Sequence, residues 1–357
     1  MPSGCAARSS FVPVTRNAPA FDPAAKYHFP IRHVVIIFQE NRTPDNLFQG
    51  LPGADIASSG LNDRGRVVAL HAVPLTAKYD LQHEHSGFVV EYDGGKMDGW
   101  SLEHSSNFCK RRDKRTCAYA YVPRSENRPY VTMAKQYAFA DRMFQSNQGP
   151  SYPAHQFIVS GDSAGLPKSS LNVSSNPLDH GEFHGSGGGC DAPSWERVLL
   201  INPRGFQRAT TYPCFDRPVL SDLVDAKGLS WRYYQYGLGQ GLWKAFDSIE
   251  HVRYGTDYRN VVTPPQKVLN DVADGDLANV VWVTPQGHFS DHSGSGYGGG
   301  PAWVAAVVNA IGKSKYWNST AIFITWDDWG GWFDHVKPPI LNSYELGFRV
   351  PLIVVSP

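Results

Sequence analysis

Two stretches decide the fold: His33-Val34-Val35-Ile36-Ile37-Phe38-Gln39-Glu40-Asn41 and Thr320-Ala321-Ile322-Phe323-Ile324-Thr325-Trp326-Asp327-Asp328. Each is a short run of β-branched and aromatic residues that breaks off in carboxylates. A run apolar throughout, without polar alternation, reads as a strand buried on both faces, as in a parallel sheet. In open α/β sheets ligands bind beyond the carboxyl ends of such strands. If the two ends meet, Glu40, Asn41, Asp327 and Asp328 place three carboxylates and an amide around one point. That is an oxygen-ligand set for a hard divalent cation.

Outward from these runs, helical and strand patterns alternate. Pro129–Gln136 has the character of a helix start, and Tyr137–Phe144 reads as a strand. Pro150–Ile158 opens a helix after Gly149. Leu220–Ala226 then Ser230–Tyr236 form one helix-to-strand step, and Val268–Val272 then Asn279–Val283 form another. Ala302–Gly312 is apolar at helical spacing and leads into the strand Ala321–Trp326. Alternation of this kind predicts an α/β fold, a three-layer α/β/α sandwich around a mostly parallel sheet. Residues 1–30, rich in Pro, Ala and Ser, read as a flexible arm before one domain over 31–357. A loop-rich insertion over about 50–128 is expected to lie over the sheet edge. The strand-like ending Val350-Pro351-Leu352-Ile353-Val354-Val355-Ser356-Pro357 reads as a chain cut short.

Composition narrows the function. Apolar residues make up 41% of the 357, enough for a substantial core. Lys and Arg together number 33, as do Asp and Glu, so net charge argues for neither nucleic acid nor an anionic membrane surface. The basic cluster Lys110-Arg111-Arg112 with Lys114-Arg115 reads as a solvated loop with nearby acids. No apolar run approaches a membrane span. The first thirty residues lack an apolar signal core, and no such stretch precedes Cys5 to make it a lipid-anchor site. Cys109, Cys117, Cys190 and Cys214 fall into two local groups whose spacing permits short-loop disulfides. Three pairings are open to them, as are free thiols. Disulfides would fit an oxidising, periplasmic or extracellular setting.

Further residue types belong to phosphoryl chemistry. Ser151, in Gly149-Pro150-Ser151-Tyr152-Pro153, follows a strand and opens a helix, where the helix dipole favours an anion. An ordinary N-cap is the alternative reading of that position. His83 follows Asp80, His292 follows Asp291, and His335 follows Asp334, all in Gly-rich surroundings. Such an imidazole can protonate a leaving oxygen or hold a phosphate oxygen as its cation. His180 and His184, in the Gly-rich loop His180–Cys190, read as surface residues.

Taken in order, these segments resemble the bacterial phosphoesterase family, which includes phosphocholine-preferring phospholipases C and an acid phosphatase branch. The resemblance rests on Glu40-Asn41-Arg42-Thr43-Pro44-Asp45-Asn46-Leu47-Phe48, Asp80 with His83, and Gly95-Lys96-Met97-Asp98-Gly99. It continues through Gly149-Pro150-Ser151 with Pro153, Asp291-His292, Trp326 to Val336 with Pro338-Pro339, and Arg349-Val350-Pro351 with Ser356-Pro357. It covers about residues 31–357 and implies an alkaline-phosphatase-like fold. It further implies that Glu40, Asn41, Asp327 and Asp328 bind one divalent metal and that Ser151 is a nucleophile also contacting it. His83 and His292 would line the phosphate pocket. His335 and Lys96 would be substrate contacts, although the His335 motif position is also compatible with a structural role. Oxygen ligands suit Mg, Mn or Ca, and the resemblance leaves Zn or Fe open. Ala154-His155 stands where such proteins often carry Asn-Arg, and Asp328 where they often carry Glu.

The expected activity is metal-dependent hydrolysis of a phosphoester through a phosphoseryl intermediate. The substrate would be a phospholipid head-group diester or a small monoester, with Lys96 or Arg42 serving the extra charge of a monoester. The contrasting reading is a non-catalytic phosphate- or glycan-binding module on the same fold.

Overall fold

The computed structural model describes residues 30–103, 109–111, 113–166, 169–178, 188–237 and 241–357. Cys5, Arg112, His180 and His184, together with the arm up to residue 29, lie outside the described residues.

Seven strands form the central sheet: β1 (His33–Gln39), β2 (Ala138–Ala140), β3 (Trp231–Tyr234), β4 (Val261–Val262), β5 (Val280–Val283), β6 (Thr320–Trp326) and β7 (Leu352–Val355). Their order is β4-β3-β5-β1-β6-β7-β2. β1 runs parallel to both β5 and β6, and β7 runs antiparallel to its neighbours β6 and β2. The two runs that opened the sequence argument are therefore adjacent and in step, with Val35 opposite Ile322 and Gln39 opposite Trp326. One rung further, Asp327 N–H donates to the Gln39 carbonyl at 3.0 Å, so Glu40 and Asp327 leave the sheet side by side.

Helices α1 (Pro44–Leu47), α2 (His85–Tyr92), α3 (Arg124–Gln136), α4 (Ser151–Ser160), α5 (Leu220–Ala226), α6 (Glu250–Arg253), α7 (Lys267–Asp274) and α8 (Gly300–Gly312) surround it. Val35 and Ile37 of β1 pack with Tyr130 and Val131 of α3, Val268 and Val272 of α7, and Val304, Val307 and Ile311 of α8. Phe38 packs with Val159 of α4, Val224 of α5 and Val252 of α6. Alternation along β1 thus gives each face of the sheet its own apolar layer. Among the described residues no helix is long and apolar enough to cross a membrane.

Several sequence boundaries shift. The expected strand Tyr137–Phe144 is ordered as a strand only over Ala138–Ala140, with Phe144 reaching Arg349 by an isolated bridge. The helix read from Pro129 begins at Arg124, and Asn127 (φ −106°, ψ 17°) leaves helical geometry between the two. Pro129 has no N–H and restricts the residue before it, so regular helix restarts there. The strand read over Ser230–Tyr236 is confined to Trp231–Tyr234.

The segment between α1 and α3 is less irregular than its Gly, Asp and His content implies. Residues 54–57 touch the sheet edge, with Asp55 N–H donating to Asp141 at 2.7 Å. Leu51, Leu75 and Val122 join the core against the sheet, whereas Tyr79, Phe88, Trp100 and Tyr119 pack on Trp329, Trp332, Phe333 and Phe348 in a second, aromatic cluster beyond the carboxyl end of β6. Disulfides join Cys109 to Cys117 and Cys190 to Cys214.

Candidate active site

The end of β1 turns abruptly. Asn41 takes φ 52°, a left-handed conformation that a residue with a Cβ adopts at a cost and that often marks a functional site. The turn lets Asn41 N–H donate to Asp327 Oδ1 at 3.1 Å. Beyond it, Thr43 Oγ1 accepts from Asn46 N–H and caps α1, while donating to the Phe333 carbonyl.

The end of β6 needs a matching turn. Gly330 and Gly331 both have positive φ, and a Cβ on Gly330 would lie 2.5 Å from the Asn41 carbonyl oxygen. Only glycine leaves room for the two strand ends to meet. Gly330 N–H donates to Asp328 Oδ1 at 2.7 Å, which orients Oδ2 toward the site.

The third element is the start of α4. Ser151 is its first residue and is buried, with Oγ 3.2 Å from both Glu40 Oε2 and Asp328 Oδ2. The helix start is less open to an anion than its sequence suggests. Tyr152 N–H donates to Asn176 Oδ1 at 3.0 Å, Pro153 has no N–H, and Ala154 N–H closes on the Pro150 carbonyl. Among the described residues, Ser151 N–H is the one first-turn donor without an acceptor.

One turn along α4, His155 lies fully buried with Nε2 3.0 Å from Glu40 Oε1 and 3.7 Å from Asp327 Oδ2. Burial pushes this imidazole down to about 4, against the attraction of Asp327, so it is neutral near pH 7.

His83 approaches from the opposite side. Its Nδ1 lies 2.7 Å from the Leu81 carbonyl and its Nε2 3.0 Å from Asn41 Nδ2. Burial would lower it, but Asp328 and Asp80 outweigh that and push it up to about 9. The His292 ring lies 5.8 Å from that of His83, and its Nδ1 is 2.6 Å from the Ser293 carbonyl. Asp80, His83 and His292 bring ligand-type atoms within 4.8 Å of one another. The Trp243 ring, 6.1 Å from His292, and the Trp329 ring, 6.4 Å from His83, flank the pair. Arg42 donates to the Asp291 carbonyl at 2.9 and 2.7 Å and so pins the loop that carries His292.

Charge is the decisive property here. Glu40, Asp327 and Asp328 are all buried, and no Lys or Arg among the described residues forms a salt bridge with any of them. Burial, reinforced by Asp327, holds Glu40 and Asp328 well above the usual carboxylate range. Asn41 Oδ1 and Asp327 Oδ2 are buried acceptors with no donor among the described residues. Buried carboxylates and orphan acceptors are costly unless a cation compensates them. Together with the Ser151 hydroxyl they make an oxygen-rich donor set, so the residues present fit a divalent cation.

The structure thus brings together Glu40, Asn41, Ser151, Asp327 and Asp328, with His83 and His292 at the rim. Two other expected residues are placed elsewhere. Lys96 is exposed and paired with Asp93 at 2.7 Å. His335 has both ring nitrogens taken, Nδ1 by Asp45 at 2.8 Å and Nε2 by Asp55 at 2.9 Å. These partners favour the structural role left open for His335 and place Lys96 in a surface ion pair. Conversely, His155 was not singled out as a site residue. Its signal was the i, i+4 spacing from Ser151, which puts both side chains on one face of α4.

Fold and site define a class: an α/β protein whose parallel strands end in a buried carboxylate cluster beside a serine hydroxyl. The chain belongs to the phosphoesterase family, whose profile matches residues 31–357. It is 25% identical to a non-hemolytic phospholipase C of Burkholderia pseudomallei, an alignment covering 99% of this chain and 56% of that protein. It is 23% identical to a hemolytic phospholipase C of Pseudomonas aeruginosa, over 92% of this chain and 49% of that protein. A phospholipase C A of Mycobacterium tuberculosis is 26% identical, over 97% of this chain and 71% of its own length. The chain thus spans about half the length of the first two relatives.

Proposed function

We propose that residues 31–357 form a catalytic domain of alkaline-phosphatase-like α/β/α architecture that hydrolyses phosphoesters with Ser151 as nucleophile. The observation that carries this is Ser151 Oγ, equidistant at 3.2 Å from Glu40 Oε2 and Asp328 Oδ2, beside the orphan acceptors Asn41 Oδ1 and Asp327 Oδ2. Glu40, Asn41, Asp327, Asp328 and Ser151 would hold one divalent cation. When bound, that cation would supply Lewis-acid stabilisation of the phosphoryl oxygens and lower the pKa of the serine hydroxyl. Ser151 directs its proton at the two carboxylates, and its oxygen attacks phosphorus in line as the ester bond breaks. The leaving alkoxide takes a proton from His292 or His83, and water then hydrolyses the phosphoserine.

A singly charged diester is favoured over a doubly charged monoester. Both cations expected to serve a monoester are committed elsewhere, Arg42 to the Asp291 carbonyl and Asn46, and Lys96 to Asp93. The relatives' names point the same way. The two local disulfides support a periplasmic or extracellular setting.

The test is turnover of p-nitrophenylphosphorylcholine and p-nitrophenyl phosphate by metal-supplemented protein and by Ser151→Ala. Loss of diester turnover by about a thousandfold or more in the variant is expected. Turnover of the monoester alone would reassign the substrate class. Undiminished turnover in Ser151→Ala would remove the nucleophile. An inactive parent whose ligand affinity is unchanged by that substitution would establish a binding module.

A further inference from the structure

Among the described residues His155 is the one fully buried imidazole in the carboxylate cluster, and nothing in the proposed reaction uses it. Two roles suit a histidine there: a ligand to the cation, or a group that orients a ligand. Its two nitrogens decide between them. Nε2 faces Glu40 Oε1 at 3.0 Å, whereas Nδ1 is buried and has no hydrogen-bond partner. A metal-ligating imidazole carries its proton on the other nitrogen and almost always donates it to a carbonyl, carboxylate or water. Ligation through Nε2 would put that proton on Nδ1, as a buried N–H with no acceptor. With the proton on Nε2, the same ring leaves only an unshared lone pair facing its surroundings, the lesser cost. Nδ1 of His83 and of His292, by contrast, each lies within 2.7 Å of a backbone carbonyl.

The consequence falls on Glu40. Its carboxylate is divided, Oε1 toward His155 Nε2 and Oε2 toward Ser151 Oγ at 3.2 Å. A carboxylate following the end of a strand is otherwise free to rotate about its terminal torsion, which is broad and roughly two-fold. A donor fixed on α4 removes that freedom. Because Ser151 and His155 share α4, the same rigid helix sets the nucleophile and the orientation of the carboxylate facing it. We propose that His155 is a positioning residue, whose Nε2–H holds Glu40 with Oε2 presented to the cation and to Ser151.

This rests on the reading of Glu40 as a cation ligand, so the experiment separates the two. Mn²⁺ affinity is measured by titration calorimetry on the full chain and on His155→Phe, His155→Asn, His155→Gln and Glu40→Gln. Gln places an N–H donor near the position of Nε2, Asn places one near Nδ1, and Phe keeps the ring without a donor. Positioning predicts Mn²⁺ affinity within about threefold of the parent for Gln, and about 10–100-fold weaker for Phe and Asn. In kinetics on p-nitrophenylphosphorylcholine at saturating Mn²⁺, kcat should fall in Phe and Asn and recover in Gln, with KM little changed.

Retention by Phe with loss in Gln would make His155 a packing residue and overturn the proposal. So would a directly coordinated nitrogen coupling in the Mn²⁺ spin-echo spectrum that disappears in His155→Gln. If His155→Phe does not fold, the contrast between Asn and Gln carries the same test. Unchanged affinity in Glu40→Gln would sink the cation site itself. Weakened affinity there with unchanged affinity in every His155 variant would sink only the role given to His155.

Discussion

At the scale of single residues, Arg349 shows how a buried charge is held. It is fully buried, donates to Asp334 Oδ1 and Oδ2 through Nε at 2.9 and 3.1 Å, and reaches the Asp55 and Asp141 carbonyls at 2.8 and 2.9 Å. Removing one partner of such a pair strands the other in a low-dielectric interior, at about 3–5 kcal/mol. Arg349→Met should therefore lower unfolding free energy by that order in urea titration, and a change below about 1 kcal/mol would show that water reaches Asp334. His335 belongs to the same network. Burial lowers its imidazole, but Asp45 and Asp55 outweigh burial and the opposing Arg349, leaving it raised. A raised folded-state value stabilises fully below the ordinary value near 6.5 and is lost as pH rises through the folded one. The deficit in melting temperature of His335→Ala against the parent should thus be largest near about pH 6 and shrink at higher pH. A deficit constant with pH would mean that His335 contributes packing alone. The motif alone left both a substrate contact and a structural role open for His335, because spacing along the chain does not reveal Asp45 and Asp55 as its partners.

At the scale of elements, the site is the meeting of two strand ends and one helix start. The strand ends were legible because carboxylates directly after a doubly buried run have no packing reason to be there. Their adjacency was a supposition, since nothing in either run says that β1 lies beside β6. The helix start was legible from Gly149-Pro150-Ser151, but the side chain that would cap it, Asn176, comes from a segment without periodicity. The tight junction at Gly330 yields a direct prediction. An alanine there must both adopt left-handed geometry, at about 1–2 kcal/mol, and displace the Asn41 carbonyl 2.5 Å from its Cβ. Gly330→Ala should weaken Mn²⁺ binding as well as lower stability. A stability loss with intact Mn²⁺ affinity would show that the junction supports the fold without shaping the cation site.

At the scale of the whole molecule, a cation held as proposed by Glu40, Asp327, Asp328 and Ser151 would tie the sheet to α4. Mn²⁺ at about a hundredfold over its dissociation constant should raise unfolding free energy by about 2.7 kcal/mol, an increment absent from Asp327→Asn. A calorimetric melt that ignores Mn²⁺ would contradict the fit of these residues to a cation. The disulfide Cys190–Cys214 spans 24 residues, a loop for which the chain-entropy model gives about 3 kcal/mol. Its removal by paired Ser substitutions should be visible at that magnitude in a urea titration, and no change would show that the surrounding contacts already hold the loop. The α/β class was legible at this scale from alternation alone. The antiparallel direction of β7 within the central sheet was not, because strand direction is set by the connection and not by the residues in the strand. The position of β1 carries a consequence for synthesis. Among the seven strands of the central sheet it comes first in sequence, yet both its neighbours, Val280–Val283 and Thr320–Trp326, come after β2, β3 and β4. While the intervening residues are translated, its apolar edges stay unpaired, a state that favours aggregation and chaperone capture. The pocket that holds Ser151 can close only after ribosomal synthesis has passed Asp328.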